Sequence, residues 1–99
     1  LSESLGRDAR YIHFGLTSSD LLDTALAWQI RDAGRIILKD TDVLIKEVKK
    51  KALKYKDTIC AGRTHGVHAE VYSFGLKLAL FYDELVRVKR LLKQAEKIV

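Results

Sequence analysis

Apolar residues return along this chain at helical spacing in two long stretches, separated by a polar segment rich in glycine and histidine. In the first stretch Leu22, Leu26, Ile30, Ala33, Ile37, Leu44, Val48, Ala52 and Tyr55 follow one another at steps of three, four or seven. Such steps line up one face of an α-helix. Thr17, followed three positions later by Asp20, has the spacing of a capping box, so the pattern predicts a helix over about 18–55. Gly34 is its one expected kink. In the second stretch Leu78, Phe81, Leu85, Val88, Leu92, Ala95 and Val99 step by 3, 4, 3, 4, 3 and 4. That heptad seam predicts a second helix over about 73–99, capped by Ser73 and packed in the left-handed geometry of bundles. Asp83, Glu84, Arg87, Lys89, Arg90 and Lys93 fall mainly off the seam and are expected to solvate its outer faces.

Residues 1–10 are polar, lack periodicity and are interrupted by Gly6, which reads as the end of an upstream helix and a turn. Residues 11–16 alternate enough to be extended, although Gly15 weakens a strand. Residues 56–72 break the helical period and read as a loop. The expected fold class is therefore all-α, built on long antiparallel helices. Two such helices cannot cover each other's apolar stripes over this length, so partner helices are required from the rest of the chain or from other subunits. Leu1 is not an initiator and Val99 falls inside a running repeat, so both ends read as cuts through a longer chain.

Ninety-nine residues allow one small domain or a piece of a larger one. No apolar run approaches the roughly 20 residues of a membrane span, and there is no signal-peptide pattern. The single cysteine, Cys60, cannot form an internal disulfide and points to a reducing, intracellular compartment. A formal charge of +5 permits polyanions or anionic metabolites as partners without choosing between them. The lysine-rich run at 46–56 is the best case for nucleic-acid binding. Those lysines equally suit the C-terminal dipole of a solvated helix, and no aromatic platform, zinc module or reading helix accompanies them.

Two segments carry candidate chemistry. His13 to Asp20 (HFGLTSSD) places hydroxyls and unpaired N–H groups at a helix N-terminus, where carboxylate or phosphate binds; a plain N-cap is the simpler reading. Cys60 to Glu70 (CAGRTHGVHAE) sets Arg63, Thr64 and His65 between Gly62 and Gly66. There the backbone can turn sharply and carry those side chains into a cleft. His65 has the chemistry of a general acid or base, with Arg63 and Thr64 orienting an anionic substrate. His68 and Glu70 serve to hold the segment together. Cys60, His65 and His68 match no standard zinc spacing, so no metal site is expected.

HFGLTSSD at 13–20, GRTHGVHAE at 62–70 and SFGLK at 73–77 together resemble the adenylosuccinate lyase family, within the fumarase/aspartase superfamily of helical lyases. The resemblance covers nearly the whole chain, with motif, helix, motif and helix in the family's order. It implies a fumarase/aspartase-type bundle. Residues 1–16 would then be the end of an N-terminal helical region with its connecting loop. Residues 17–99 would be the start of the central long-helix domain, with 56–72 as an active-site loop. The implied reaction eliminates fumarate from adenylosuccinate, giving AMP, and from the succinylcarboxamide intermediate of purine synthesis. By position His65 corresponds to the family's general acid, Thr64 to its substrate-contacting neighbour, and Thr17 and Ser18 to substrate-holding residues. His13 corresponds to a position that orients substrate near its phosphate. No cofactor, nucleic acid or membrane is implied; a cytoplasmic homotetramer is.

One departure is Val71-Tyr72, where the family usually reads Pro-Thr, leaving the entry to the second helix less constrained in φ. The family's early Arg-Tyr pair, its upstream His-Asp segment and its downstream loop with the base serine are not in this stretch, so the piece alone is expected to be inactive. The nearest alternatives are another superfamily lyase, such as argininosuccinate lyase or fumarase, and a basic helical nucleic-acid-binding or interaction module. Geometry adds an independent expectation. About 35 helical residues between Ser18 and His65 span about 50 Å. One pocket cannot draw on both from a single extended chain, which points to pockets shared between subunits.

Overall fold

The computed structural model describes residues 2–98; Leu1 and Val99 lie outside the described residues, and with Val99 the last step of the expected seam. Helix α1 (Ser2–Leu5) runs into a 3-10 turn (Gly6–Tyr11). Residues 12–15 then form a turn, tied by Phe14 N–H to the Tyr11 carbonyl at 3.1 Å, with Gly15 at φ 76°. The extended segment expected at 11–16 is therefore absent: turn bonds take the backbone groups that a strand would need.

Helix α2 (Ser18–Lys54) is continuous through Gly34. Its start is the reciprocal cap that the Thr17/Asp20 spacing predicts. The Thr17 N–H donates to Asp20 Oδ2 at 2.8 Å, and the Thr17 hydroxyl accepts from the Ser19 N–H at 3.4 Å. Thirty-seven residues make α2 about 55 Å long. Helix α3 (Phe74–Ala95) begins at Ser73, whose hydroxyl accepts from the Leu76 N–H at 3.0 Å, and packs antiparallel on the C-terminal two-thirds of α2. The pairing is read from Tyr55 against Phe74 (5.7 Å between ring centroids), Asp42 bonded to Lys89, and Arg35 to Glu96 at 3.6 Å.

Between the helices stands an antiparallel hairpin, β1 (Ile59–Thr64) and β2 (Val67–Ser73), where a loop was expected. The fold is thus mostly helical and not all-α. The physical reason lies in the turn. His65 (φ 51°) and Gly66 (φ 78°) both take positive φ, the two-residue geometry whose twist matches that of paired strands. Thr64 pairs with Val67 and Arg63 with His68; Ala61, Cys60 and Ile59 then pair with Val71, Tyr72 and Ser73. The register slips by one between these sets, so Gly62 faces both Ala69 and Glu70 in a bulge. A Cβ on Gly62 would stand 2.9 Å from the Glu70 carbonyl oxygen, so only glycine fits there undistorted. Val71 and Tyr72 are strand residues of high β propensity, in the ladder where the family's proline would withhold an N–H. The hairpin base is clamped by the Phe74 N–H to the Thr58 carbonyl (2.7 Å) and the Gly75 N–H to the Tyr55 carbonyl (2.9 Å).

The α2–α3 contact keeps part of the expected apolar stripes, with Val48, Ala52 and Tyr55 toward the end of α2 and Leu78, Leu85 and Leu92 on α3, while most of the other contact positions are shifted by one residue. The least exposed positions are Ala27, Arg31, Gly34, Leu38, Thr41, Asp42, Ile45, Val48, Ala52 and Tyr55 along and just past α2, and Gly75, Leu78, Tyr82, Leu85, Lys89, Leu92 and Glu96 along and just past α3. Phe81 and Val88, expected in the seam, are each 46% exposed, while Lys89, expected outside it, lies within it. Thr41, Gly75 and Lys89 take places in this contact beside Leu38, Ile45, Leu78, Leu85 and Leu92, and many other large apolar side chains are left on flanking faces. Among the described residues no hydrophobic side chain is fully buried. No described helix is long and apolar enough to cross a membrane.

Candidate functional site

The residues with chemistry fall into two groups at opposite ends of α2. At its N-terminus, His13, Thr17 and Ser18 line a cleft of about 280 Å³ with Ile12, Leu16, Leu21 and Leu22. The capping box fixes this geometry. Thr17 uses its oxygen to accept from Ser19 and its backbone N–H on Asp20, so its hydroxyl proton is left to donate outward. α3 ends beside Arg35, so this first part of α2 projects beyond it.

The second group follows the other end of α2. His65 sits at the tip of the β-hairpin, in the turn, with Thr64 and Arg63 on the strand leading in. Arg63 Nη2 lies 3.2 Å from His68 Nε2 across the ladder. A guanidinium only donates, so Nε2 accepts and the imidazole proton sits on Nδ1. This cross-strand bond is one rung from the turn and holds together the two strands that present His65. Arg63 therefore braces the tip as well as carrying charge, and His68 takes the bracing role expected of it.

Beneath the tip, Cys60, Ala61, Arg63, Tyr72, Phe74 and Lys77 surround an open cleft of about 470 Å³. Sequence reasoning passed over Lys77 and Tyr72. The available signal for Lys77 was a cation in the opening turns of a helix whose first turn has no acidic residue. The Cys60 thiol is free and half-buried. Among the described residues no three His, Cys, Asp or Glu side chains converge to hold a metal ion.

The structure thus brings together His13, Thr17 and Ser18 in one place and Arg63, Thr64 and His65 in another, and does not bring the two groups to each other within one chain. The two polar ends and the exposed apolar flanks between them are what a fragment of a larger helical assembly presents. A protein-family model described as Lyase matches residues 1–99. The chain belongs to the Lyase family. Among curated relatives, this Lyase-family chain is 55% identical over 100 residues to adenylosuccinate lyase of Aquifex aeolicus (strain VF5), covering all of the chain and 23% of the relative. It is 48% identical to adenylosuccinate lyase of Bacillus subtilis (strain 168), covering 97% of the chain and 22% of the relative. The chain therefore spans under a quarter of the length of the curated Lyase-family proteins it matches.

Among solved structures, a fumarate lyase from Mesorhizobium sp. BNC1 matches with TM-score 0.83 and 34% identity, over 94% of this chain and 22% of that one. The 3-carboxy-cis,cis-muconate lactonizing enzyme from Pseudomonas putida matches with TM-score 0.86 and 36% identity, over 94% and 21% respectively. Those two structures thus share the fold of this chain over nearly its whole length.

Proposed function

We propose that this chain is part of an adenylosuccinate lyase, a cytoplasmic homotetramer on the fumarase/aspartase-type bundle that cleaves a C–N bond to release fumarate. The substrates are adenylosuccinate, giving AMP, and the related succinylcarboxamide ribotide. The observation that carries this reading is His65 at the tip of a short, braced hairpin, in a chain 47–55% identical to curated adenylosuccinate lyases over nearly its whole length.

In this reaction a base takes a proton from the succinyl carbon next to the C–N bond, and an acid gives a proton to the departing nitrogen. His65 is the acid. A tip with both turn residues at positive φ and a bonded pair one rung below presents the imidazole at the end of a braced hairpin. Thr64 contacts the substrate beside it, and Arg63 adds positive charge toward the carboxylates. His13, Thr17 and Ser18 form the other half of a site, in which the N-terminus of α2 holds an oxyanion with hydroxyls, N–H groups and the positive end of the helix dipole. The base lies outside these 99 residues.

The test is fumarate release from adenylosuccinate by the full-length protein, wild type beside His65→Gln. The variant is expected to lose about 100-fold or more in kcat, the usual share of a general acid, while keeping its fold by circular dichroism. An active wild type with an unaffected variant removes His65 from the chemistry. A folded but inactive wild type overturns the assignment. The muconate lactonizing relative marks the second reaction worth assaying, but its lower identity, 36% against 55%, places it behind.

A further inference from the structure

We propose that the cleft beneath the hairpin tip is an oxyanion subsite, in which Lys77 and Arg63 grip a phosphate or carboxylate of the substrate against the ring of Tyr72. The inference deepens the lyase reading and takes the identity of its ligand from it.

The argument starts from charge. The cleft is lined by Cys60, Ala61, Arg63, Tyr72, Phe74 and Lys77: two cations and no carboxylate. Lys77 stands four residues into α3, near the positive end of that helix, where a cation is disfavoured. No acidic residue occupies the first turn to offset it. Several other cations of these helices are paired: Lys89 with Asp42, Arg87 with Asp83, Arg35 with Asp32 and Glu96. The Lys77 side chain makes no hydrogen bond or ion pair, and the Arg63 guanidinium contacts the His68 imidazole and no carboxylate, among the described residues. A guanidinium has five donors, so Arg63 can hold His68 and still present N–H groups to the cleft.

The helix end itself is not the anion holder. The Phe74, Gly75 and Leu76 N–H groups are taken by the Thr58 carbonyl, the Tyr55 carbonyl and the Ser73 hydroxyl. What remains is side-chain charge gathered in a concave surface with an aromatic wall, two residues along the strand from His65. Concave walls of low dielectric strengthen such a field. An oxyanion bound there would neutralise both cations and be fixed relative to the hairpin tip.

The experiment uses full-length protein as wild type, Lys77→Gln and Lys77→Arg, with calorimetric titration of inorganic phosphate, AMP and fumarate, and steady-state kinetics with adenylosuccinate. Removing the charge is expected to weaken binding of at least one probe about tenfold or more, the scale of a lost charge-assisted bond. Lys77→Arg should restore most of it, and KM should rise more than kcat falls. Weakened phosphate and AMP with unchanged fumarate assigns the site to the phosphate; the reverse assigns it to a succinyl carboxylate. Lys77→Gln binding all three probes like wild type, with unchanged KM, overturns the subsite whether or not the protein is a lyase. Loss of probe binding in a protein that releases no fumarate keeps the subsite and overturns the lyase reading instead. Thermal midpoints of the three proteins are compared, and a weakening that Lys77→Arg fails to restore in a folded protein also counts against the subsite.

Discussion

A single methyl group should act with opposite sign at two glycines of this chain. At Gly75 an added Cβ would stand 2.5 Å from the Ala52 carbonyl oxygen and 2.6 Å from Lys56 Cα. Both are backbone atoms, which cannot swing aside, so one helix must move off the other. Gly75→Ala in the full-length protein is expected to cost about 3 kcal/mol, the upper range for overpacking, seen as a lowered denaturation midpoint. At Gly34, inside α2, nothing described lies within 4 Å of the added Cβ, and alanine relieves the backbone entropy cost of a mid-helix glycine. Gly34→Ala is expected to raise stability by about 0.5–1 kcal/mol. Equal effects at both positions would mean that Gly75 is not the close-contact point between the helices. Nothing in the sequence separates the two glycines, because the distinction lies in which backbone comes opposite, and at Gly75 that backbone belongs to Ala52 and Lys56, far back along the chain.

At the scale of elements, what the sequence makes legible is whatever is local. Thr17 and Asp20 announce the start of α2, and Ser73 the start of α3, because each cap is closed by residues two or three positions apart. The hairpin is not legible, for two reasons. Its turn is His-Gly in place of the usual Asn-Gly, and the bulge at Gly62 breaks the two-residue period that would mark a strand. The seam is only partly legible: Leu78, Leu85 and Leu92 keep their expected places, whereas Tyr82 and Lys89 stand where Phe81 and Val88 were expected, and α2 turns Arg31, Leu38 and Ile45 inward in place of Ile30, Ile37 and Leu44. Lys89 bonded to Asp42 is a polar register pin in this contact. That bond, with weaker help from the charges of Lys89, Lys93 and Lys46 and some opposition from burial, holds the Asp42 carboxyl below its ordinary value of 3.8. A lowered folded-state pKa means the contribution is full above about 3.8 and drains away as pH falls through the lower folded value. Asp42→Asn is therefore expected to melt below wild type at neutral pH, with the two midpoints converging in acid. A gap that persists unchanged in strong acid would show that the aspartate acts by packing and not by charge.

At the scale of the whole molecule, the chain is too open to be a finished unit. It exposes 8613 Å² where a compact protein of its 11.2 kDa mass exposes about 5,700 Å². Its radius of gyration is 24.2 Å against about 13 Å for a compact chain of this length. The exposed leucines, isoleucines and phenylalanines on the flanks of α2 and α3 are the material with which further helices would be packed. The same elongation separates the candidate site residues, because α2 alone is about 55 Å long and has Ser18 at one end and the His65 hairpin after the other. If both act on one substrate, they come from different subunits, and mixing two dead enzymes should make live ones. Full-length Ser18→Ala and His65→Ala proteins, each inactive alone, are denatured together and reassembled in equal amounts. In the proposed homotetramer, random assortment would give about one site in four an intact Ser18 from one chain and an intact His65 from another. Activity near that fraction of wild type is the expected result. If sites were built within single chains, every site would keep one lesion, and mixed tetramers verified by mass would stay as inactive as their parents.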